Sequence, residues 1–322
     1  MKAKTWKSIR LPLGDKSYLQ DVYVFVFRTE DGFMMLDAGL NTKESFETLL
    51  SGLRDLGYEL VQLKKLIISH YHLDHCGLAL RLQQLTSAPV YLHENDRRIL
   101  LFFKEHIEEY PEKIKDFFCS YGVPEKIMKN IVNELYVYKA LLLGPTETIH
   151  LKDGALFPIE DGYLKVIHTP GHTPGHVSLF HTEKKVLFGA DFLVQDEWPH
   201  GGIYPHTATY NPIGDYLKSL EKVKSLEPEL IIPSHKEPIY EPVKKIDEAI
   251  SFMKRKIEEI YDLLKKGPLS LAQICDMAFK GYESSLSYFF LLSVGLGYMR
   301  YLIEKGLAEE VRKEGLILFG AK

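Results

Sequence analysis

Three histidines and an aspartate lie within six consecutive positions of this chain. The segment from His70 to His75 spells H-Y-H-L-D-H, and it directly follows the apolar run Leu66–Ser69. Imidazole nitrogens and carboxylate oxygens are the ligands that zinc and similar ions take in proteins. If the apolar run is a strand that ends at Ser69, these side chains share one exposed loop, where catalytic residues tend to lie. The spacing therefore predicts a metal site.

Three later segments carry side chains of the same type at the ends of predicted strands. One spells T-P-G-H-T-P-G-H from Thr169 to His176, one ends G-A-D at Asp191, and one ends P-S-H at His235. The glycines and prolines of the first segment favour a turn that presents an imidazole. Because one catalytic ion needs only about three protein ligands, the four segments hold enough donors for two ions.

These motifs resemble the metallo-β-lactamase superfamily, in its binuclear hydrolase branch that includes glyoxalase II and several lactonases. The segment Met35–Gly39 is similar to the early D-x-G element of that family. The order and the intervals of the motifs fit across residues 1–245. The resemblance implies an α/β fold, the four-layer αβ/βα sandwich, with the metal site at one edge.

The resemblance also implies a role for each ligand-type residue. One ion is held by His70, His72 and His172, the second is held by Asp74, His75 and His235, and Asp191 bridges the two. Zn²⁺ is the default, while iron and manganese suit the same ligands. Two such ions share a water, lower its pKa and direct the resulting hydroxide at an electrophilic carbonyl or phosphorus. Asp74 is then also the catalytic residue that holds the nucleophile or accepts its proton.

Five further residues have two possible roles. Asp37 is expected to hydrogen-bond the ligand loop rather than to bind metal. His168 and His176 either support the ligand loop in the same way or are ordinary structural histidines. Tyr204 and Tyr210 follow Asp191 in a loop rich in glycine and proline. They either line a substrate pocket, where one could donate to an oxyanion, or pack in the core.

Composition limits the class of protein. With 322 residues, of which 45% are hydrophobic, the chain has material for a large core and suggests two domains. A net charge of −4 argues against wide coverage of nucleic acid. The three cysteines form no C-x-x-C pair, and no apolar segment follows the basic N-terminal residues. We therefore expect a cytoplasmic enzyme that acts on a small molecule and does not bind a membrane, with a homodimer left open.

The predicted elements alternate between strands and helices, as in sheets covered by helices. A helix capped by Asn41 is expected after a hairpin, and a single helix over 77–86. The predicted strands cover residues 22–27, 33–36, 64–69, 89–92, 163–168, 177–181, 185–189 and 230–232, with a helix over 212–226. The catalytic domain is expected to span residues 1–245, with a helical insertion at about 94–143 that either forms a lid or only packs onto the sandwich.

Residues 246–322 are expected to form a small second domain. Three helical segments, with Ser270 and Gln273 as a capping box, precede a predicted β-wing. This order resembles the winged-helix tail of some metallo-β-lactamase hydrolases, including some that cut RNA. Within 251–322, however, 11 Lys and Arg residues face 9 Asp and Glu residues, so the tail carries no basic stripe for nucleic acid. Packing, dimerisation or closure of the active site is the favoured role.

The sequence thus favours a binuclear hydrolase of an ester-like bond, either a thioester of the hydroxyacylglutathione kind or a lactone. One alternative is a phosphodiesterase or endoribonuclease that uses the same metal site. A second alternative is a metal-dependent sensor without catalytic activity that binds DNA through the C-terminal segment.

Overall fold

Two β-sheets pack face to face in the computed structural model, which describes residues 6–14, 21–139, 145, 147–279 and 284–322. In the first sheet the strands lie in chain order: β1 (Trp6–Pro12), β2 (Asp21–Thr29), β3 (Gly32–Leu36), β4 (Leu63–Ile67), β5 (Val90–Leu92) and β6 (Ile149–His150). The first three strands are antiparallel neighbours, and the pairs from β3 to β6 are parallel. Parallel neighbours bring their C-terminal ends to the same edge.

The second sheet follows the first along the chain. Its strands are β7 (Leu156–Ile159), β8 (Gly162–His168), β9 (Val177–His181), β10 (Val186–Ala190) and β11 (Leu230–Pro233). The pairs from β7 to β10 are antiparallel, whereas β10 and β11 are parallel. The register of β10 against β11 shifts between Phe188 and Ala190, immediately before Asp191.

Aromatic side chains fill the space between the sheets. Phe188 on β10 meets the rings of Trp6, Phe25 and Phe27 edge to face, at centroid distances of 5.4, 5.2 and 4.8 Å. All four side chains are buried. Each such pair stabilises a core by about 0.5–1.5 kcal/mol beyond the burial of its surface, so these rings hold the two sheets together.

Helices cover both outer faces. They are α1 (Lys43–Asp55), α2 (Leu73–Cys76), α3 (Ala79–Thr86), α4 (Glu94–His106), α5 (Tyr110–Ser120), α6 (Glu125–Lys139), α7 (Pro212–Lys224), α8 (Pro242–Leu264), α9 (Leu271–Ala278) and α10 (Ser285–Glu304). Apolar residues of α1, α3 and α4 share a core with the first sheet, and those of α7 and α8 share one with the second sheet. The four-layer α/β arrangement predicted from the sequence is confirmed.

The insertion and the C-terminal helices pack against each other. Phe118 on α5 meets Phe289 on α10 at 5.5 Å between ring centroids, and both belong to the core cluster that reaches the second sheet. A hairpin, β12 (Ala308–Lys313) and β13 (Leu316–Ala321), ends the chain. The winged-helix assignment and the domain boundary at residue 246 stay predictions. Residues 140–143 of the expected insertion lie outside the described residues.

By length and composition, helix α10 is long and apolar enough to cross a membrane. However, 56% of its most apolar stretch of 18 residues is buried in the protein. It packs against α6, α7 and α9. The core helix of a globular protein has the same properties.

Several predicted bounds were wrong. Helix α1 is capped by Thr42, not Asn41, because Thr42 has extended backbone and its side chain accepts the N–H of Ser45 at 3.1 Å. The helix expected over 77–86 is α3, which begins two residues later at Ala79, and the short helix α2 before it was not predicted. Strands β1, β6 and β7 were not predicted. The capping box of Ser270 and Gln273 at the start of α9 is confirmed.

Candidate metal centre

Seven ligand-type side chains converge at the edge where the strands of both sheets end. They form two groups, in each of which the ligand atoms lie within 4.8 Å of one another: His70, His72, His172 and Asp191 in the first, and Asp74, His75 and His235 in the second. Ligands from the loops after β4, β8, β10 and β11 thus meet, although up to 165 residues separate them along the chain. The structure brings together all seven predicted ligands.

Asp191 lies between the two groups. Its Oδ2 is 3.5 Å from His172 Nε2 and 3.9 Å from His70 Nε2. Its Oδ1 is 3.3 Å from His75 Nε2 and 3.5 Å from His235 Nε2. Since each oxygen faces a different group, the carboxylate is placed to bind two cations at once.

The inward atoms of this cluster fit a metal ion. The Nε2 atoms of His70, His75 and His235 and Oδ1 of Asp191 are buried, and they have no hydrogen-bond partner among the described residues. A buried polar atom without a partner costs about 1–3 kcal/mol. Divalent cations would satisfy all four atoms, and imidazole with carboxylate is a donor set that zinc, iron and manganese accept.

The outer nitrogens of the histidines are held by the protein. His235 Nδ1 lies 2.7 Å from the carbonyl oxygen of Asp21, and His172 Nδ1 lies 3.2 Å from that of His200. A carbonyl oxygen only accepts, so each Nδ1 donates and each Nε2 is left with a lone pair that points inward. The ligands are therefore oriented for a cation in the structure as it stands.

Asp37 organises the loop after β4 in the same way. Its Oδ2 is 2.8 Å from His75 Nδ1 and accepts the Ser69 hydroxyl at 2.9 Å, while its Oδ1 accepts the Ser69 N–H at 2.7 Å. The Ser69 hydroxyl in turn lies 2.9 Å from His70 Nδ1. Asp37 thus contacts the ligand loop, which is the role expected of it, without facing the cluster.

The charges of the cluster favour a bound positive charge. Burial opposes protonation of His75, but the carboxylates of Asp191, Asp74 and Asp37 raise its pKa well above the usual range. Burial, assisted by the neighbouring imidazoles His75 and His72, lowers the pKa of His70 well below it. The carboxylate-rich group therefore attracts cations, and His70 remains a neutral ligand.

Backbone strain is concentrated at the same place. Asp37, Ala190 and Lys236 have φ angles of +65°, +46° and +60°, in the left-handed region that side chains other than glycine seldom adopt. Ala190 precedes Asp191, and Lys236 follows His235. Each such residue costs about 1–3 kcal/mol, and strain of this kind clusters at functional sites.

His176 and His168 both contact the ligand loops rather than the cluster itself. His176 Nε2 accepts the backbone N–H of Asp191 at 3.3 Å, and its Nδ1 lies 2.9 Å from the Thr169 hydroxyl. Burial lowers the pKa of His176 to about 3, so it stays a neutral acceptor. His168 Nε2 lies 3.1 Å from the carbonyl of Pro174. Of the two roles considered, these contacts favour support of the ligand loops.

One further residue, Asp96 on α4, was not predicted from the sequence. Its Oδ2 accepts the N–H of Tyr71 at 3.0 Å and the hydroxyl of Thr173 at 2.7 Å, and its Oδ1 accepts the N–H of Gly175 at 2.6 Å. Asp96 is fully buried. It therefore ties the loop that carries His70 and His72 to the loop that carries His172.

The aromatic residues after Asp191 separate into two sets. Trp198 stacks on Phe252 of α8 at 4.2 Å, and it borders an open groove of about 980 Å³ that the seven ligands do not line. Tyr204 and Tyr210 do not line this groove. The Tyr210 hydroxyl donates to the carbonyl of Thr173 at 3.4 Å, and the Tyr204 hydroxyl accepts from Ser293 at 3.3 Å.

Removal of the Asp37 carboxylate should weaken metal binding. In Asp37→Ala, the Nδ1 of His75 and the Ser69 hydroxyl lose their acceptor. His75, and His70 through Ser69, then gain rotational freedom. We expect the affinity for Zn²⁺ to fall by about 10–100-fold, measured by competition with a chromophoric chelator. Asp31→Ala, at a side chain that is 69% exposed in a turn, is the matched control. Equal Zn²⁺ affinity in the Asp37 variant would contradict the role of this network.

Comparison with known proteins agrees with this geometry. The profile of the Metallo-beta-lactamase superfamily matches residues 18–235. "Probable metallo-hydrolase YqjP" of Bacillus subtilis is 24% identical over 298 residues, which are 88% of each chain. "Hydroxyacylglutathione hydrolase GloC" of Haemophilus influenzae is 31% identical over 165 residues, 51% of this chain and 62% of that one. The crystal structure of the metallo-beta-lactamase family protein TTHA1429 from Thermus thermophilus has a TM-score of 0.84 at 23% identity and covers 99% of both chains.

Proposed function

The chain belongs to the metallo-beta-lactamase superfamily and is a metal-dependent hydrolase, and on that premise we propose that it uses two metal ions to cleave an ester-like bond. The observation that carries the proposal is the position of Asp191, whose two oxygens face two separate groups of ligands. A mononuclear site would need only one of these groups.

In the proposed site, His70, His72 and His172 hold one divalent cation, and Asp74, His75 and His235 hold the other. When bound, such cations lower the pKa of water and offset negative charge that develops on an oxygen. Asp37, His176 and the carbonyls of Asp21 and His200 keep the ligands in place. Zn²⁺ is the default ion of the proposal, with iron and manganese as the alternatives.

Asp74 is proposed as the residue that accepts the proton of the attacking water. Its side chain is 22% exposed, whereas those of His75 and His235 are at most 1% exposed. Burial tends to raise the pKa of Asp74, but attraction to His75 and His235 outweighs it and lowers the pKa to about 2. The carboxylate is therefore ionised at neutral pH and can accept a hydrogen bond from water.

A thioester of the hydroxyacylglutathione kind or a lactone is the proposed substrate. The partial similarity to the Haemophilus hydrolase supports the thioester. The C-terminal hairpin gives no support to the nuclease alternative, because Glu309, Glu310 and Glu314 accompany Arg312 and Lys313 there. A surface that follows a phosphate backbone needs an excess of positive charge.

Metal content and substrate preference test this proposal together. We expect about two ions per chain by plasma mass spectrometry of the purified protein. The same preparation should hydrolyse a thioester or a lactone, and Asp74→Asn should lose most of that turnover. Asp55→Asn, at the C-terminal end of α1, is the matched control. One ion or none, with no turnover after reconstitution, would refute the binuclear hydrolase.

The two alternatives have distinct outcomes in the same experiment. RNA cleavage that survives rigorous purification and disappears in Asp74→Asn would establish the nuclease in place of the esterase. Saturable binding of duplex DNA, without turnover of any ester, thioester, lactone or phosphodiester, would establish the sensor.

A further inference from the structure

Beside the metal centre lies a cluster of aromatic side chains with one imidazole among them, which we call the aromatic cage. Its members come from the ligand loop, from α4 and α5 of the insertion, and from the loop after β10: Tyr71, Phe102, Phe103, Tyr110, Tyr204 and His206. The His206 ring is parallel to that of Tyr204 at 5.7 Å, and it meets those of Phe103 and Tyr110 at 4.9 and 5.4 Å.

The cage is adjacent to the metal ligands. Tyr71 lies between His70 and His72 in the sequence, and its ring centroid is 4.8 Å from that of His72. The same ring is 6.1 Å from that of His206. Tyr71 therefore contacts both a ligand of the metal centre and the imidazole of the cage.

Tyr110 determines which nitrogen of His206 carries the proton. The Tyr110 hydroxyl is 2.7 Å from His206 Nδ1. In the part of the chain that the structure describes, it has no other bonding partner. If Nδ1 carried the proton, the buried Tyr110 hydroxyl proton would have no acceptor. Tyr110 therefore donates to Nδ1, and Nε2 carries the proton of the neutral ring.

The Nε2–H of His206 is a buried donor without an acceptor among the described residues. Burial, followed by the effect of His72, lowers the pKa of His206 to about 3, so the ring does not ionise at neutral pH. An unpaired buried donor costs about 1–3 kcal/mol. In a native structure such an atom calls for an explanation, of which a ligand is one and an internal water is another.

The surroundings of His206 describe the group that would fit. Phe102, Phe103 and the flat faces of Tyr71 and Tyr204 offer apolar surface. Among the described residues, Lys113 Nζ lies 5.9 Å from the centre of the Phe102 ring, and the guanidinium of Arg300 donates to the carbonyl of Ala208. The side chains of the cage itself are uncharged at neutral pH, so they offer no ion pair to the two free carboxylates of a glutathione moiety. A flat, uncharged group with one acceptor oxygen matches both the rings and the N–H.

We propose that the aromatic cage binds a flat apolar or aromatic part of the substrate and that His206 Nε2–H donates a hydrogen bond to an oxygen on it. This inference rests on the proposed function and selects, within it, an uncharged aryl or cyclic ester or lactone over a glutathione thioester. Because Nε2 is closed to solvent, the ligand reaches it only when side chains of the cage rearrange. Phe102 and Phe103 on α4 contact the His206 ring, at 5.8 and 4.9 Å between ring centroids, which gives the insertion a part in substrate selection.

The test compares two product-like carboxylates that differ in one acceptor. In 4-acetylphenylacetate a keto oxygen lies across the ring from the carboxylate, whereas 4-ethylphenylacetate has the same carbon skeleton without that oxygen. With the Zn²⁺-loaded protein, titration calorimetry should give about tenfold tighter binding of the keto compound. The ¹⁵N resonance of His206 Nε2 should shift with the keto compound alone. Acetate, which cannot reach the cage, is the reference for binding at the metals.

Variants assign the discrimination to His206. His206→Phe should bind the two compounds equally and leave the affinity for acetate unchanged, while His206→Gln, whose amide can donate, should recover part of the preference. Tyr110→Phe should weaken the preference for the keto compound. Without the Tyr110 hydroxyl, the proton of His206 can lie on Nδ1 as well as on Nε2. Tyr240→Phe, at a side chain that is 76% exposed, is the control. Should His206→Phe not fold, the glutamine and Tyr110 variants carry the test.

Each outcome decides the inference separately from the hydrolase proposal. Equal binding of the two compounds by the wild-type protein would mean that an internal water already satisfies Nε2–H, and it would overturn the inference. A preference that survives in His206→Phe, or no binding of either compound, would overturn it as well. A clear preference that depends on His206, in a protein that hydrolyses no ester, would uphold the cage as a binding site while the proposed reaction fails.

Discussion

Asp191→Ala should lose at least one of the two metal ions and lower turnover by about 10³-fold or more. Among the described residues, this carboxylate is the one group whose two oxygens face both sets of ligands, at 3.5 Å from His172 and 3.3 Å from His75. Without it, one set consists of three imidazoles and the other of Asp74 with two imidazoles. The second set loses the largest of the negative charges that draw a cation towards His75 and His235, and keeps that of Asp74.

The metal count and the turnover should be measured on the same preparation, with plasma mass spectrometry and with the substrate found in the panel. Asp191→Asn refines the test, because it keeps one oxygen and the shape of the side chain. We expect it to retain one ion firmly and the second weakly. Asp262→Ala, at a side chain that is 67% exposed on α8, is the control for loss of a carboxylate. An Asp191→Ala protein with two ions and near wild-type turnover would show that Asp191 does not bridge.

The ligands could be predicted from the sequence because each stands at a strand end, within a motif of a few residues. The ligands from His70 to His75 lie in a single loop, so they are neighbours whatever the rest of the fold. The turn from Thr169 to His176 is likewise determined by the glycines and prolines within it. Strand alternation then predicted the sheets except for β1, β6 and β7. The seven positions of β1 do not alternate strictly between buried and exposed. β6 has two residues and β7 has four, and alternation over so few positions cannot be distinguished from a loop.

Residues that act through distant contacts could not be predicted. Asp96 lies in the first turn of α4, where an acidic residue is common and normally interacts with the helix dipole and solvent. Its partners Tyr71, Thr173 and Gly175 are 25 to 79 residues away. His206 presents the same difficulty, since Tyr110, which fixes its proton, is 96 residues away. Only the packing of the insertion onto the sandwich brings these groups together.

From its composition, the segment from residue 246 onward was expected to form a second domain. Composition does not reveal how its helices pack against the rest of the chain. Helices α8 and α10 lack ligands but share one buried cluster with α5, α6 and the second sheet. Ser293 on α10 donates to Tyr204 of the aromatic cage. A change in α10 is therefore expected to affect the cage as well as the C-terminal hairpin. Of the roles considered for the tail, closure of the active site is the one that this contact supports.

Asp96→Asn should destabilise the protein by about 2 kcal/mol at pH 5 and by less at pH 7.5. Asp96 accepts from three donors, and an amide has one oxygen to offer, so a buried donor loses its partner. The pH dependence follows from burial, which outweighs those hydrogen bonds and raises the pKa of Asp96 to about 7. The native carboxyl therefore keeps a proton that the unfolded chain releases above its ordinary pKa of about 3.9.

The sign of this effect is fixed by proton linkage. Because the native state binds more protons than the unfolded state between about pH 4 and pH 7, wild-type stability falls as the pH rises through this range. The asparagine variant has no such titration, so the difference between the two proteins should shrink as the pH rises. Urea unfolding from pH 4.5 to 8 measures it, with Asp116→Asn, at an exposed position on α5, as the control.

A constant difference across this range would show that Asp96 is ionised in the native state throughout, with its three donors prevailing over burial. Metal binding provides a second measurement, because Asp96 joins the loop of His70 and His72 to the loop of His172. If it holds these ligands in register, Asp96→Asn should also bind Zn²⁺ about tenfold more weakly at pH 7.5, where the cost in stability is smallest. Weaker metal binding without a loss of fold would identify Asp96 as a residue that positions the ligands of the first ion.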